Sequence, residues 1–307
     1  MDELTPDVLR VTWRLPLGID HVHCYLLRGD DGWTIVDAGL DLPGVRERWA
    51  EEVASLDAPV ARVFITHMHP DHIGASATLA EVSGAEVLEG RLDHEQAVAV
   101  WRSGRPRGSV AEYLRANGMP AEEASAVQGE SERVGTVVRL ADDVTLVEPG
   151  DTVGGWEAVH LPGHADGHLS LFRGDELVAG DALLGDITPN VGLWPNSRPD
   201  PLADYLESLR EIVRRAPRVA YPGHGAVIDD PAARAEEILR HHDDRLEQAA
   251  DALRRGAQTP YAVSRTLFPD VESPGLRRFA LVETLAHLEF LARRGELVRG
   301  DGVFALA

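Results

Sequence analysis

The 307-residue chain carries 51 acidic residues against 30 basic ones, a formal charge of −21, and all 30 basic residues are arginine. The lack of lysine excludes Schiff-base chemistry on that side chain, and so acidic a field repels polyanions, which counts against nonspecific nucleic-acid binding. A hydrophobic content of 44% supplies a sizeable core, the single cysteine excludes an intramolecular disulfide, and no apolar run approaches the 18 residues of a membrane span.

The first ten residues are acidic and lack the apolar stretch of a signal peptide, so a cytoplasmic location is expected. Leu9–Arg14, His23–Arg28 and Trp33–Asp37 read as strands separated by turns such as Gly29-Asp30-Asp31-Gly32. Cys24 sits in the apolar run Cys24-Tyr25-Leu26-Leu27 and reads as a buried structural thiol rather than a nucleophile. Pro43 opens a helical stretch to about Leu56, Val60–Thr66 is a buried strand, and Ile73–Val82 is a helix ended by Gly84. Residues 90–140 are polar and helix-prone, and are expected to form a cap over a site. Further strands are expected near Glu157–Leu161, Leu169–Phe172, Glu176–Ala179 and Arg218–Tyr221. Asp200-Pro201 starts a helix with Leu202, Tyr205, Leu206, Leu209, Ile212 and Val213 on one face. After Pro231 the chain turns helical: Ala232–Arg255, a short helix from Thr259-Pro260, and Leu276–Arg294. Two short strands around Gly300-Asp301-Gly302 close the chain and suggest a winged-helix-like unit. The expected division is 1–230 and 231–307.

The strongest chemical signal is Thr66-His67-Met68-His69-Pro70-Asp71-His72, between a buried strand and a helix. His67 and His69 alternate along extended backbone and so share a side, while Asp71 and His72 enter the helix start. Four ligand-type side chains thus leave one tight turn. Imidazole suits zinc, and carboxylate balances charge on zinc or iron. A chance cluster is the bland alternative, but three His and an Asp at a buried strand end need a partner. Four donors do not close two metal sites. The downstream candidates, His164, Asp181 and His224, each follow a glycine in a loop: Pro162-Gly163-His164, Ala179-Gly180-Asp181 and Pro222-Gly223-His224.

This ordered set, with Asp37 in Val36-Asp37-Ala38-Gly39, resembles the metallo-β-lactamase superfamily over about 230 residues. The resemblance implies an α+β fold, the αββα sandwich, with the site at the shared edge of two sheets. It implies two divalent cations, zinc in the first place and iron or manganese as alternatives. His67, His69 and His164 would hold one, Asp71, His72 and His224 the other, and Asp181 would bridge them. Asp37 would order the ligand loops by hydrogen bonds. A water between two cations loses a proton near neutral pH and becomes the nucleophile, which Asp71 would orient. Asp181 stands where lactamases carry a cysteine ligand, so the set looks like the glyoxalase II type. It also differs from flavodiiron proteins, which carry Glu at the place of His69. Ile187-Thr188-Pro189-Asn190, Asp204-Tyr205-Leu206-Glu207-Ser208-Leu209 and the helical tail are similar to the LACTB2-like subgroup. His23 departs from that pattern, where relatives carry Asn.

The other histidines invite blander readings. His168 and His160 read as turn or core packing, with a substrate-side or ligand-supporting role as the alternative for His168. His21 and His23 are candidates for the pocket wall, His94 for the surface, His241 or His242 for solvent, and His287 for core or interface. Arg254-Arg255, Arg277-Arg278 and Arg293-Arg294 are the best argument for nucleic acid. The segment from 231 onward holds 11 Arg against 12 acidic residues, a weak footprint beside a strongly acidic body.

Two hydrolytic readings follow: a hydrolase for a small thioester, ester or lactone, and an endoribonuclease or phosphodiesterase. A third is a DNA-binding regulator that uses the tail, with the front domain as a metal-bound sensor. A small-molecule partner is expected, no membrane, and a homodimer stays open.

Overall fold

A computed structural model describes residues 1–16, 18–102 and 110–307. Seven strands form one sheet in chain order: β1 (Asp2–Thr5), β2 (Val8–Arg14), β3 (His21–Gly29), β4 (Gly32–Val36), β5 (Val60–Ile65), β6 (Glu86–Gly90) and β7 (Val144–Val147). The second sheet has β8 (Thr152–Val153), β9 (Trp156–His160), β10 (Leu169–Arg173), β11 (Glu176–Gly180) and β12 (Val219–Pro222), in the order β12-β11-β10-β9-β8.

Side-chain alternation explains why the sheets stack. Along β3, Val22, Cys24 and Leu26 face one apolar cluster while Tyr25 and Leu27 face another. The same parity divides Val63 and Ile65 from Phe64 on β5, and Leu177 and Ala179 from Val178 on β11. The shared inner cluster, with Phe64, Trp156, Leu171 and Tyr221, fills the space between the sheets. Outside the first sheet lie α1 (Val45–Ala54), α2 (Pro70–Ile73), α3 (Ser76–Ser83) and α4 (Arg91–Ala97), with Trp49 and Leu79 buried against it. Outside the second lie α5 (Val110–Ala116), α6 (Ala121–Gly135), α7 (Pro201–Arg215), α8 (Pro231–Arg254), α9 (Pro260–Leu267) and α10 (Pro274–Arg293). The result is the expected αββα sandwich with a C-terminal helical unit.

The last four helices share one opening: Asp200, Asp230, Thr259 or Ser273 caps a helix whose first residue is proline, the side-chain oxygen accepting a backbone N–H three residues on. A hairpin of β13 (Leu297–Arg299) and β14 (Phe304–Leu306) ends the chain. One apolar cluster runs from Leu177 on the second sheet through Leu209 and Leu253 to Leu285, Leu297 and Phe304, so the tail is packed onto the body.

Several expectations need correction. The helix expected over Ile73–Val82 is two helices, broken at Gly74-Ala75, whose N–H groups bond the carbonyls of Pro70 and Gly39. β1, β6, β7 and β8 were not foreseen. Residues 90–140 divide: α4 continues into a π-helical turn (Val98–Arg102) under the first sheet, whereas α5 and α6 join the C-terminal helices. Residues 103–109 lie outside the described part. Cys24 is buried as expected, and burial pushes its thiol well up from the usual range. Among the described residues, no helix is long and apolar enough to cross a membrane.

Candidate metal centre

Strand direction decides where the chemistry collects. β4 to β7 run parallel, as do β11 and β12, and their carboxyl ends lie at one edge of the sandwich. Asp37 follows β4, His67 to His72 follow β5, Asp181 follows β11 and His224 follows β12; His164 comes from the β9–β10 turn at the same edge. The sheets are tied there by Leu169 N–H to the Thr66 carbonyl (2.9 Å) and Tyr25 Oη to the Pro222 carbonyl (2.7 Å).

All seven expected donors meet. His69 Nδ1 lies 3.1 Å from His67 Nε2 and 2.8 Å from His164 Nε2. Asp181 Oδ2 is 3.5 Å from His164 Nε2 and 3.3 Å from His224 Nε2, and its Oδ1 is 3.4 Å from His72 Nε2. Asp71 Oδ2 is 3.4 Å from His224 Nε2 and 3.9 Å from His72 Nε2. Donors of one tetrahedral cation at about 2.05 Å lie roughly 3.3 Å apart, so these separations are of the size that a metal ion's donor set requires. The donor atoms fall into overlapping trios: His67, His69 and His164; His67, His72 and Asp181; Asp71, His72 and His224.

The far side of each ring fixes which nitrogen is free. His67 Nδ1 meets Thr66 Oγ1 (3.0 Å), His72 Nδ1 donates to Asp37 Oδ2 (2.7 Å), His164 Nδ1 to the Asn190 carbonyl (2.9 Å), and His224 Nδ1 to the His21 carbonyl (2.6 Å). In each ring Nε2 is the nitrogen turned inward. His72 Nε2 and Asp181 Oδ1 are buried and find no closer partner than each other at 3.4 Å, a pair of donor atoms that a cation would satisfy.

Charge divides the site. Burial, with the neighbouring rings, drives His67 well below the usual imidazole range and His69 down to about 3. Burial also lowers His164, with Asp181 opposing. On the other side burial works against charge on His72 and His224 but is outweighed by Asp181, Asp71 and, for His72, Asp37; His224 is raised to about 10. Burial would raise Asp71, yet His72 and His224 bring it down to about 2. Three neutral nitrogens face two ionised carboxylates, whose charge draws protons onto His72 and His224 where a cation would compensate it.

Asp37 bonds both the strand end and the loop of the first motif. It stands at φ 65°, strained for a residue with a side chain, and its carboxylate accepts from Thr66 N–H (2.9 Å), Thr66 Oγ1 (3.0 Å) and His72 Nδ1. His21 and His23, the candidates for the pocket wall, are both bonded to the loop that carries His224. His21 Nε2 accepts from Gly225 N–H (2.9 Å), His23 Nε2 donates to the Gly225 carbonyl (2.9 Å), and His23 N–H bonds the Gly223 carbonyl (2.7 Å). The start of β3 thus clamps the His224 loop. His168 is fully buried, stacks on His67 at 4.9 Å, and accepts the Asp181 N–H at 3.1 Å. His160 donates to the Asp166 carbonyl (2.8 Å), and His94 is half-buried against Glu89 rather than on the surface. His242 pairs with His287 (3.1 Å) inside the C-terminal helices, and His241 is half-exposed.

Sequence reasoning missed Asp93. Its carboxylate accepts Met68 N–H (2.8 Å) and Gly167 N–H (2.7 Å), joining the loops that carry His67 and His164. No spacing signal reveals it, because both partners are backbone groups distant in sequence.

A profile described as the Metallo-beta-lactamase superfamily matches residues 17–224, and one described as Metallo-beta-lactamase-like, C-terminal domain, matches 246–304. The crystal structure of metallo-beta-lactamase family protein TTHA1429 from Thermus thermophilus superposes with a TM-score of 0.86 at 32% identity, covering 99% of this chain and 100% of that one. The probable metallo-hydrolase YqjP of Bacillus subtilis is 27% identical, over 94% of this chain and 92% of its own. A beta-lactamase-like protein 2 homolog of Drosophila melanogaster is 25% identical (80% and 73%), and an atrochrysone carboxyl ACP thioesterase of Aspergillus fumigatus 26% (82% and 67%). With its sandwich, its edge of His and Asp donors and these matches, the chain belongs to the metallo-beta-lactamase superfamily and is a hydrolase of that group.

Proposed function

We propose that the protein is a dinuclear metal-dependent hydrolase of a small thioester, ester or lactone, with zinc as its metal. Residues 1–230 would form the catalytic part and 231–307 a C-terminal unit. His67, His69 and His164 would hold one cation, Asp71, His72 and His224 the other, with Asp181 serving both. The observation that carries this reading is the meeting of seven side chains from four loops with donor separations of 2.8 to 3.9 Å.

When bound, such cations supply Lewis acidity toward a carbonyl oxygen and make water acidic enough to attack near neutral pH. The chain's own residues orient that attack. Asp71 is the most open carboxylate of the site, 15% exposed against 7% for Asp181 and 2% for Asp37. Held ionised, it would serve as an acceptor for the attacking water's proton.

The acidic body favours a small substrate over RNA, and the arginine pairs of the tail point the same way. Arg277 is buried, while Arg254, Arg278, Arg293 and Arg294 are taken by Asp251, Glu130, Glu289 and Glu296. Relatives named atrochrysone carboxyl ACP thioesterase support a thioester substrate. The test is turnover of acyl-CoA, acyl-glutathione and p-nitrophenyl esters, beside a short single-stranded RNA. Chelation by EDTA is expected to abolish acyl hydrolysis and Asp71→Ala to lower it at least about a hundredfold. Metal-dependent cleavage of the RNA with no acyl turnover would replace this reading with a phosphodiesterase.

A further inference from the structure

Three of the four rings that bond outward from the site are held by the catalytic sheets: His67 by Thr66, His72 by Asp37, His224 by His21. His164 is held differently. Its Nδ1 meets the Asn190 carbonyl, so it must carry the proton, and the ring's aim depends on where that carbonyl stands. Asn190 belongs to the loop before α7, and its side chain is anchored in the C-terminal unit. Nδ2 donates to Glu283 Oε2 (2.8 Å) and to the Phe279 carbonyl (3.3 Å), both on α10. The same loop is tied to α10 again at Leu193, whose N–H bonds the Val282 carbonyl (3.0 Å).

Glu283 is itself fixed. It is 8% exposed, and its backbone carbonyl accepts His287 Nδ1–H (2.7 Å), while His287 Nε2 accepts from His242 Nδ1 on α8 (3.1 Å). A buried carboxyl oxygen that accepts an amide N–H is a directional anchor, and its loss leaves the amide free to turn. We propose that Glu283 is a positioning residue of the metal centre, acting through Asn190 on His164, so that the C-terminal helical unit sets the aim of one metal ligand. This rests on the reading of the seven donors as metal ligands. Partners of this kind on a metal-bound imidazole are worth about ten- to a hundredfold in metal affinity.

The test compares the full-length wild type with Glu283→Ala, Glu283→Gln, Asn190→Ala and, on the same helix, Glu289→Ala, whose carboxylate pairs with Arg293 and Arg299. Zinc affinity is read by competition with a chromogenic chelator, and ligand geometry by the visible spectrum of the cobalt(II)-loaded protein. The expected result is about tenfold weaker binding of one of two cations, with shifted cobalt bands, in Glu283→Ala and Asn190→Ala. Glu283→Gln keeps an acceptor oxygen and is expected to stay near wild type, and the Asn190/Glu283 double variant to be no weaker than the weaker single one. Wild-type affinity and spectrum in both Glu283→Ala and Asn190→Ala would overturn the proposal, as would equal changes in Glu289→Ala. If Glu283→Ala does not fold, Asn190→Ala, which removes the same contact, decides: wild-type zinc affinity and cobalt spectrum there would overturn the proposal. A wild type that takes up no cation overturns the metal-centre reading itself, a result distinct from two cations bound with no effect of Glu283.

Discussion

Gly223 shows how closely the backbone approaches the donors. A Cβ built there would lie 2.4 Å from Asp181 Oδ1 and 2.7 Å from His72 Cε1, inside any real contact. Gly223→Ala is therefore expected to push one of these donors away, lowering metal content while far-UV circular dichroism stays unchanged; full metal content would refute the tight packing described. The seven donors were legible from sequence because their types are rare and their loops glycine-marked. The clamp made by His21 and His23 was not, because its partners are backbone groups some 200 residues away, with separations of 202 and 204 positions. Asp37 was legible only through the family pattern; its left-handed φ of 65° and its hold on Thr66 and His72 appear only in three dimensions.

At the scale of elements, α4 and α10 act as struts. Asp93 on α4 accepts two backbone N–H groups, that of Gly167 buried and that of Met68 half-buried, and burial pushes its carboxyl up to about 7 against the pull of those donors. Asp93→Ala leaves both N–H groups unpaired and is expected to cost about 2–4 kcal/mol in chemical denaturation, with Asp93→Asn closer to wild type. No loss in Asp93→Ala would show that the two loops hold each other without it. On α10, burial raises Glu283 from 4.5 to about 7. The folded state therefore holds a proton that the unfolded chain releases, so this group's contribution is full below pH 4.5 and is lost as pH rises through 7. Glu283→Gln does not titrate. Its stability relative to wild type is expected to climb between about pH 4.5 and 8, by at most about 3 kcal/mol, and a flat difference would contradict the assignment. The starts of α7, α8 and α9 were legible because each carries a capping side chain and a proline. The break at Gly74-Ala75 was not, since it is imposed by the carbonyl of Gly39 on a neighbouring loop. β6 was missed because Glu86 and Glu89 mask a strand that only its place between β5 and β7 buries.

Across the whole molecule, the buried imidazoles and carboxylates gather at one sheet edge, where a cation would replace the protons that Asp71 and Asp181 draw onto His72 and His224. Cations that bind the folded chain and not the unfolded one raise its stability. EDTA treatment is expected to lower Tm by several degrees, restored by zinc, and an unchanged Tm would contradict the coupling. The body carries nearly all the net charge while the tail is close to neutral. The sequence showed that asymmetry, but not that Arg277 is buried and that four other arginines of the pairs are consumed by carboxylates.

The most direct measurement is elemental metal analysis of the purified full-length protein after equilibration with zinc, alongside His67→Ala and His224→Ala. Two equivalents in the wild type, and fewer in each variant, is the predicted result. No stoichiometric metal in the wild type, or two equivalents retained in both variants, would contradict it.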